Sequence, residues 1–358
     1  MSLINLADFE SEALRRLPRP AADYFRSGAR DERTVAHNRE AFSRWRLRQR
    51  VLVDVSNRST ATTVLGHPVD LPVLVAPTAF HGLAHADAEV ATAAGASAAG
   101  TVLTLSSLSN QPVEAVVAAT DRPVFFQLYV YKDRGATRDL VARAVAAGCA
   151  AVVLTADAAV IGTRERDVRN RFTLPSHLRM ANARADLQSL GSAEDDSALT
   201  AWVRDNLDAS LSWADLDWLV DIAGVPVVLK GVARADDARR AVDHGVAAVQ
   251  VSNHGGRQLD GAVATLDALP EVVEAVDGAC EVWLDGGVRR GTDVLMALAL
   301  GAQVVGVGRP ALWGLAVDGA DGVAQVLRLL QAELDEAMAL CGAPTVREIT
   351  QDLLARPG

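Results

Sequence analysis

The sequence predicts an α/β fold, a (β/α)8 TIM barrel with an N-terminal helical segment and a long loop after strand four, and three observations predict it. From about Leu71 onward, eight short apolar runs alternate with Ala-rich segments of helical spacing, several of those segments stop at a glycine, and almost every apolar run closes on a polar residue. Parallel strands covered on both faces read as near-continuous Val/Leu/Ala runs, as these do. A doubly wound open sheet would share that texture but would spread the polar ends along an edge. A closed barrel gathers them on one face, where active sites are built.

The eight runs are Leu71–Pro77, Thr101–Leu105, Val124–Tyr129, Ala150–Asp157, Pro226–Gly231, Ala247–His254, Glu281–Gly287 and Gln303–Arg309. They end on or next to Thr78, Ser106, Gln127 and Tyr129, Thr155 and Asp157, Lys230, Ser252 and His254, Asp285, and Arg309. Helices are predicted between them at Asp87–Ala99, Gly135–Ala147, Ala235–His244 and Thr292–Leu300. A glycine just past such a helix accepts the positive φ that ends it. The chain is expected to form one domain over residues 1–358. Residues 1–70 carry helix candidates at Leu6–Leu17 and Pro20–Ser27 and are expected to cap the bottom or rim of the barrel. Residues 173–212, long and polar with an acidic cluster at Glu194–Asp196, break the βα spacing and are expected to form a flexible, lid-like loop.

Composition narrows the function. With 358 residues, half of them hydrophobic, the chain has ample core material, and disorder is excluded. A net charge of −10 is the opposite of a nucleic-acid footprint. Cys149, Cys280 and Cys341 are odd in number, far apart and outside any C-x-x-C pattern, so neither a disulfide framework nor a metal site is expected and a cytoplasmic setting fits. Asp8, Glu10 and Glu12 stand where a signal peptide would be basic and then apolar, and no run approaches the roughly 20 apolar residues of a spanning helix, so no membrane partner is expected.

Three constellations carry chemistry. Ser252-Asn253-His254-Gly255-Gly256-Arg257 follows the run Val249–Val251 at a strand end, placing a titratable base and a fixed cation on a turn whose glycines allow close ligand approach. Asp285-Gly286-Gly287-Val288-Arg289 and Gly306-Val307-Gly308-Arg309 end the last two strands, the usual phosphate site of this fold, where Arg289 and Arg309 offer forked hydrogen bonds. Lys230 closes the apolar Val227-Val228-Leu229, so its ammonium belongs at the barrel mouth facing an anion or a carbonyl ligand. Arg164 and Arg257 are candidates to clamp a carboxylate, and Asp157 to orient an imidazole or to cap a helix. Taken singly, each has a plainer reading as a solvated turn, a snorkelling lysine or a charged helix face.

Together with Asp23-Tyr24-Phe25-Arg26-Ser27-Gly28-Ala29, Ala76-Pro77-Thr78-Ala79, Thr104-Leu105-Ser106-Ser107 and Phe126-Gln127-Leu128-Tyr129, these blocks make the chain resemble the FMN-dependent 2-hydroxy-acid oxidases and dehydrogenases from about Asp23 to Leu340. That family includes glycolate oxidase, lactate oxidase, mandelate dehydrogenase and hydroxymandelate oxidase. The resemblance implies FMN as cofactor, with Pro77, Thr78, Ala79, Ser106, Gln127, Thr155, Lys230 and Ser252 along the flavin ring and ribityl chain, and Asp285, Gly287, Arg289, Gly308 and Arg309 along the ribityl and phosphate end. It implies Tyr24, Arg164 and Arg257 on the substrate carboxylate, Tyr129 on its hydroxyl, and His254 as base with Asp157 behind it. It further implies a small 2-hydroxy acid as substrate and a homo-oligomer, a tetramer or octamer; because residues 173–212 lack the apolar run of a membrane-anchoring insertion, O2 is the expected electron acceptor, giving H2O2.

The chain departs from the family pattern at Thr163-Arg164, where two arginines are common, at Ala156-Asp157-Ala158-Ala159, and at Phe80-His81-Gly82. Leu108 stands where glycolate-preferring members carry Trp, so a larger substrate is expected, mandelate-like or branched aliphatic. Two other readings compete: a phosphate-binding aldolase or isomerase using Lys230 as a Schiff-base nucleophile, and a barrel that binds a phosphorylated ligand without turnover.

Overall fold

The computed structural model describes residues 3–183 and 198–355. Eight parallel strands close into a barrel: β1 Val73–Val75, β2 Leu103–Ser106, β3 Val124–Leu128, β4 Ala151–Thr155, β5 Val227–Val232, β6 Ala248–Val251, β7 Glu281–Asp285 and β8 Val304–Val307. They pair in chain order, and β8 returns to pair with β1 through Val305–Val73 and Val307–Val75. Every apolar run of the sequence is therefore a barrel strand. Six of the eight runs extend past their strands at the C-terminal end, so Tyr129, Asp157, His254 and Gly287 lie beyond the strands, and Arg309 opens the helix that follows β8, whereas Leu103–Ser106 and Val227–Val232 each outlast the predicted run by one residue.

All barrel-strand residues are buried or nearly so, which hides an alternation that packing reveals. Leu74, Phe125, Val153, Val228, Ala248, Trp283 and Val304 form one apolar cluster, and their strand neighbours pack into the larger cluster beneath the surrounding helices. Two residues further along the same inward faces come Gln127, Thr155, Lys230, Gln250, Asp285 and Gly306. Period-2 geometry thus lines the lower barrel with hydrocarbon and its C-terminal mouth with polar groups. Phe125 and Trp283 stack at 5.8 Å across the lower layer. A hairpin, Thr62–Val64 with His67–Val69, adds Val64 and Val69 to this cluster and plugs the N-terminal end.

Helices α1 Leu6–Arg16, α2 Arg19–Arg26 and α3 Arg33–Ser43 precede the barrel. Next come α4 Ala88–Ala98, α5 Val113–Val117, α6 Arg134–Ala146, α7 Glu165–Arg169 and α8 Ala198–Asn206. The remainder are α9 Trp213–Ala223, α10 Ala235–Asp243, α11 Thr265–Val276, α12 Gly291–Ala299 and α13 Arg309–Cys341. The four helices that spacing predicts between strands are α4, α6, α10 and α12, with Gly100, Gly148, Gly245 and Gly301 at positive φ just beyond them. α1 packs on α13, whereas α2 and α3 reach the C-terminal mouth. The first 70 residues thus serve both ends, with helices at the mouth and the hairpin at the bottom. Within 173–212, where the sequence predicts a loop, the described part contains α8, and the acidic cluster Glu194–Asp196 lies outside the described residues. No helix among the described residues is long and apolar enough to cross a membrane.

Candidate active site

The C-terminal mouth holds a cleft partly open to solvent. Its floor is the polar top layer of the barrel. Gln127 ties three strands together: its Oε1 accepts from the Ser106 hydroxyl and the Ser107 amide, both at 3.2 Å, and its Nε2 donates to Thr155 Oγ1 at 3.0 Å. Lys230 Nζ donates to Ser252 Oγ at 2.8 Å and lies 3.5 Å from Asp285 Oδ2. Asp285 accepts in turn from Ser252 Oγ at 2.7 Å and from Gln250 Nε2 at 2.8 Å. Burial works against the Lys230 charge, but the carboxylates of Asp285 and Asp157 outweigh it and hold the pKa above the usual lysine value. Lys230 is therefore a fixed cation. A Schiff-base nucleophile needs a neutral amine, so the aldolase reading loses its reactive group.

Beside this floor stands the turn after β6. His254, Gly255 and Gly256 all have positive φ, 58°, 64° and 78°. For a histidine that conformation costs on the order of 1–3 kcal/mol. Surrounding contacts hold it: the Asn253 side-chain oxygen accepts from the Gly256 amide at 3.1 Å, and Asn253 and Asn38 of α3 pair their side chains through two 2.8 Å hydrogen bonds. The result aims the imidazole into the cleft. His254 Nδ1 lies 2.9 Å from Asp157 Oδ1, leaving Nε2 toward the cavity, where 24% of the side chain is exposed. Burial among neighbouring groups lowers the imidazole pKa below 6.5 despite Asp157, so the ring is neutral and basic at pH 7. The Asp157 carboxyl, which burial would push up, is held low by His254 and Lys230. Asp157 and Ser252 are not part of the cleft wall but stand directly behind it.

Facing His254 is a cationic bracket around one aromatic ring. Tyr24 stacks on Phe172 at 4.4 Å, with the Arg257 guanidinium 5.0 Å and the Arg164 guanidinium 5.6 Å from its ring centre. Arg257 Nη1 is anchored on the carbonyls of Tyr24 and Ser27 at 2.7 and 2.8 Å, and Arg164 Nε lies 3.2 Å from Asp167. Burial and the neighbouring Arg164 push the Arg257 pKa down to about 10. Burial also raises the Tyr24 and Tyr129 phenols, so both remain hydroxyls.

The far end is more cationic still. Arg289 lies 4.8 Å over the Trp313 ring, and its buried Nε has no hydrogen-bond partner among the described residues. Arg309 donates to the carbonyls of Phe25, Ser27 and Gly255 at 2.9–3.1 Å. Burial drops Arg289 to about 10 and Arg309 to about 9. Neither has an ion-paired carboxylate among the described residues. Buried cations without an ion-paired partner are costly unless a ligand supplies the charge, so this end suits an anionic group such as a phosphate. Gly287 and Gly308 line it from the last two strand ends.

Pro77, Thr78 and Ala79 form a side wall next to β1, and Leu108 joins an apolar wall with Leu199, Val203 and Leu207. Sequence reasoning misses these last three. They recur every four residues along α8 and just past it, a helical stripe that is readable within a segment dominated by polar residues. It also misses the braces Asn38 and Gln258. Gln258 Nε2 donates to the Asp157 and Val160 carbonyls at 3.1 and 2.9 Å, tying the turn after β6 to the loop after β4.

Residues 13–356 match the model of a family described as FMN-dependent dehydrogenase. The chain belongs to that family. It is 52% identical to an L-lactate oxidase of Nostoc sp., over 99% of this chain and 98% of the relative. It is 48% identical to 2-hydroxyacid oxidase 1 of Homo sapiens, over 99% and 97%. A crystal structure of a mandelate oxidase with (S)-4-hydroxymandelic acid superposes with a TM-score of 0.95 at 40% identity, covering 99% of this chain and 98% of the other. The family's cofactor fits the cleft: its phosphate would meet the buried Arg289 and Arg309, neither of them ion-paired among the described residues, and its ring would lie over the polar floor that Lys230 charges.

Proposed function

We propose that this protein oxidises a 2-hydroxy acid to the 2-oxo acid with FMN as the electron acceptor. The observation that carries the reading is the opposition, in one cleft, of the His254–Asp157 pair and the Arg164–Tyr24–Arg257 bracket, with an unneutralised cationic end beyond. Oxidation of R–CH(OH)–COO⁻ removes the hydroxyl proton, the α-hydrogen and two electrons, so a base, a carboxylate anchor and an acceptor suffice. Bound FMN supplies the two-electron acceptor.

The protein's own residues do the rest. Arg257 and Arg164 bind the carboxylate by charge-assisted hydrogen bonds, with Tyr24 between them. Tyr129 hydrogen-bonds the substrate hydroxyl. Neutral His254 takes a proton at Nε2, and Asp157 stabilises the imidazolium that forms. Lys230, held as a cation, favours negative charge on the acceptor ring. Pro77, Thr78, Ala79, Ser106, Gln127, Thr155 and Ser252 line or support the ring site, and Asp285, Gly287, Arg289, Gly308 and Arg309 hold the ribityl and phosphate end.

The apolar wall supports a substrate whose R group is larger than that of glycolate, branched aliphatic or aryl. The names of the oxidase relatives support O2 as electron acceptor, giving H2O2. The free thiols of Cys149, Cys280 and Cys341 agree with a cytoplasmic location, and the exposed apolar run Val51-Leu52-Val53 supports a homo-oligomer. Purified protein reconstituted with FMN should be yellow and should bleach anaerobically with 2-hydroxy acids such as mandelate or lactate. A colourless protein without affinity for FMN would end this reading.

A further inference from the structure

The turn after β1 contains a buried histidine that the proposed chemistry leaves without a role. His81 is 1% exposed, and its ring bridges two hydroxyls: Nε2 lies 2.6 Å from Thr78 Oγ1 and Nδ1 lies 2.8 Å from Thr92 Oγ1 of α4. The backbone is bent to put it there. Phe80 has φ 63°, and the bend is bracketed by Glu89, which accepts from the His81 amide at 3.1 Å, and by Asn110, which accepts from the Gly82 amide at 2.8 Å. A bulky residue at positive φ is uncommon, and here the strain turns the imidazole back beneath Thr78, a residue of the cleft wall.

The donors can be ordered. Thr92 Oγ1 has the Ala88 carbonyl 3.3 Å away as acceptor for its proton, so its lone pair is free to receive Nδ1–H. Burial lowers the His81 pKa and keeps the ring neutral, and a neutral imidazole donates from one nitrogen only. In the Nδ1–H tautomer that this arrangement favours, Nε2 is an acceptor and takes the Thr78 hydroxyl proton.

On the reading of this cleft as an FMN site, the geometry points to His81 as a positioning residue that commits the Thr78 proton away from the cleft, so that Thr78 presents only lone pairs to the flavin. In oxidised isoalloxazine N1 and N5 are acceptors while N3–H is a donor, and two-electron reduction converts N5 from an acceptor to an N–H donor, which is the change an oxygen beside it would sense. A wall oxygen that can only accept disfavours the oxidised ring and favours the reduced one. His81 therefore raises the reduction potential of the bound flavin without touching it.

The test reads FMN dissociation constants and midpoint potentials of reconstituted wild type, His81→Phe, His81→Gln, Thr78→Val and the Thr78→Val/His81→Phe double variant. Phe keeps the ring volume without the acceptor, and its midpoint potential should fall, the ratio of reduced to oxidised affinity shifting by up to about tenfold, or about 30 mV for two electrons. Gln, whose carbonyl can receive the Thr78 proton, should retain most of the wild-type potential. Thr78→Val should lower the potential by itself and abolish any further effect of His81→Phe, as coupled neighbours do. An unchanged potential in His81→Phe, or a fall that persists in full on the Thr78→Val background, overturns the inference. Should His81→Phe not fold, Thr78→Val decides alone, and an unchanged potential in it is equally fatal. Failure of the FMN reading itself is seen first and separately, as wild type that binds no FMN.

Discussion

His254 Nδ1 and Asp157 Oδ1 are 2.9 Å apart across two different strand-end loops, and the two groups shift each other in opposite directions. Burial lowers the imidazole pKa below 6.5, while the Asp157 charge works to raise it. The base must be neutral to accept a proton, so kcat/KM should rise with pH along a limb centred below 6.5 and be flat at neutrality. In Asp157→Asn the raising influence is gone, so the limb should move to still lower pH. The plateau should nonetheless drop by about 10²-fold or more, because the imidazolium loses its partner. A pH–rate profile in which the limb moves upward, or the plateau is unaltered, would remove Asp157 from this role.

Arg257→Lys tests the carboxylate bracket. Arg257 spends one nitrogen on the Tyr24 and Ser27 carbonyls and stacks on Tyr24, so its position depends on a planar fork that an ammonium cannot reproduce. Loss of one charge-assisted contact of about 1.5–3 kcal/mol should raise KM by roughly 10–100-fold. FMN affinity should change little, because the phosphate end lies elsewhere. Steady-state kinetics with parallel FMN titrations check both, and a variant whose FMN affinity collapses while KM holds would place Arg257 at the cofactor.

Leu108→Trp tests the apolar wall. Leu108 faces the same cavity as Leu199, Val203 and Leu207, and an indole there would fill the volume a branched or aryl substituent needs. Differences of about 1–3 kcal/mol per accommodated group correspond to roughly 10–200-fold, so the kcat/KM ratio of mandelate to glycolate should fall by that order. Wild type that already prefers glycolate strongly would contradict the size argument before the variant is made.

Much of the fold is legible in the sequence because its signals are local. Eight apolar runs with helical spacers are enough to specify strand number, and strand order follows from closure. The Ser252–Arg257 turn and the two Gly-rich turns after β7 and β8 are legible for the same reason: each packs its chemistry into a few consecutive residues. The inward/outward alternation is not, since both faces of every strand are apolar until the mouth is reached. Nor are the braces. Asn38 and Asn253 are 215 residues apart, and no spacing rule links two asparagines across that distance. The predicted strands overrun at Asp157, His254 and Gly287 because these residues continue the run in sequence but leave the sheet, His254 and Gly287 to line the cleft and Asp157 to hold His254 from behind it.

Gly287 connects that cleft to the N-terminal helices, and its replacement should reveal how closely they fit. It sits at φ 87°, and a Cβ there would fall 2.1 Å from the Asn38 carbonyl oxygen and 3.1 Å from the Phe42 ring. The obstruction is backbone, which cannot rotate aside. Gly287→Ala must therefore push α3 outward, and with it the Asn38 side chain that holds Asn253 and the His254 turn. Strain at positive φ and overpacking each contribute about 1–3 kcal/mol. Gly66 provides the control: it has a similar φ of 79°, but a Cβ there would meet nothing within 4 Å, so Gly66→Ala carries the φ strain alone. Denaturant unfolding should place Gly287→Ala below Gly66→Ala by at least the overpacking share, and FMN affinity should fall only in the former. Equal stability losses in the two variants would mean that α3 yields without resistance, and that the Asn38–Asn253 pairing does not hold the turn in place.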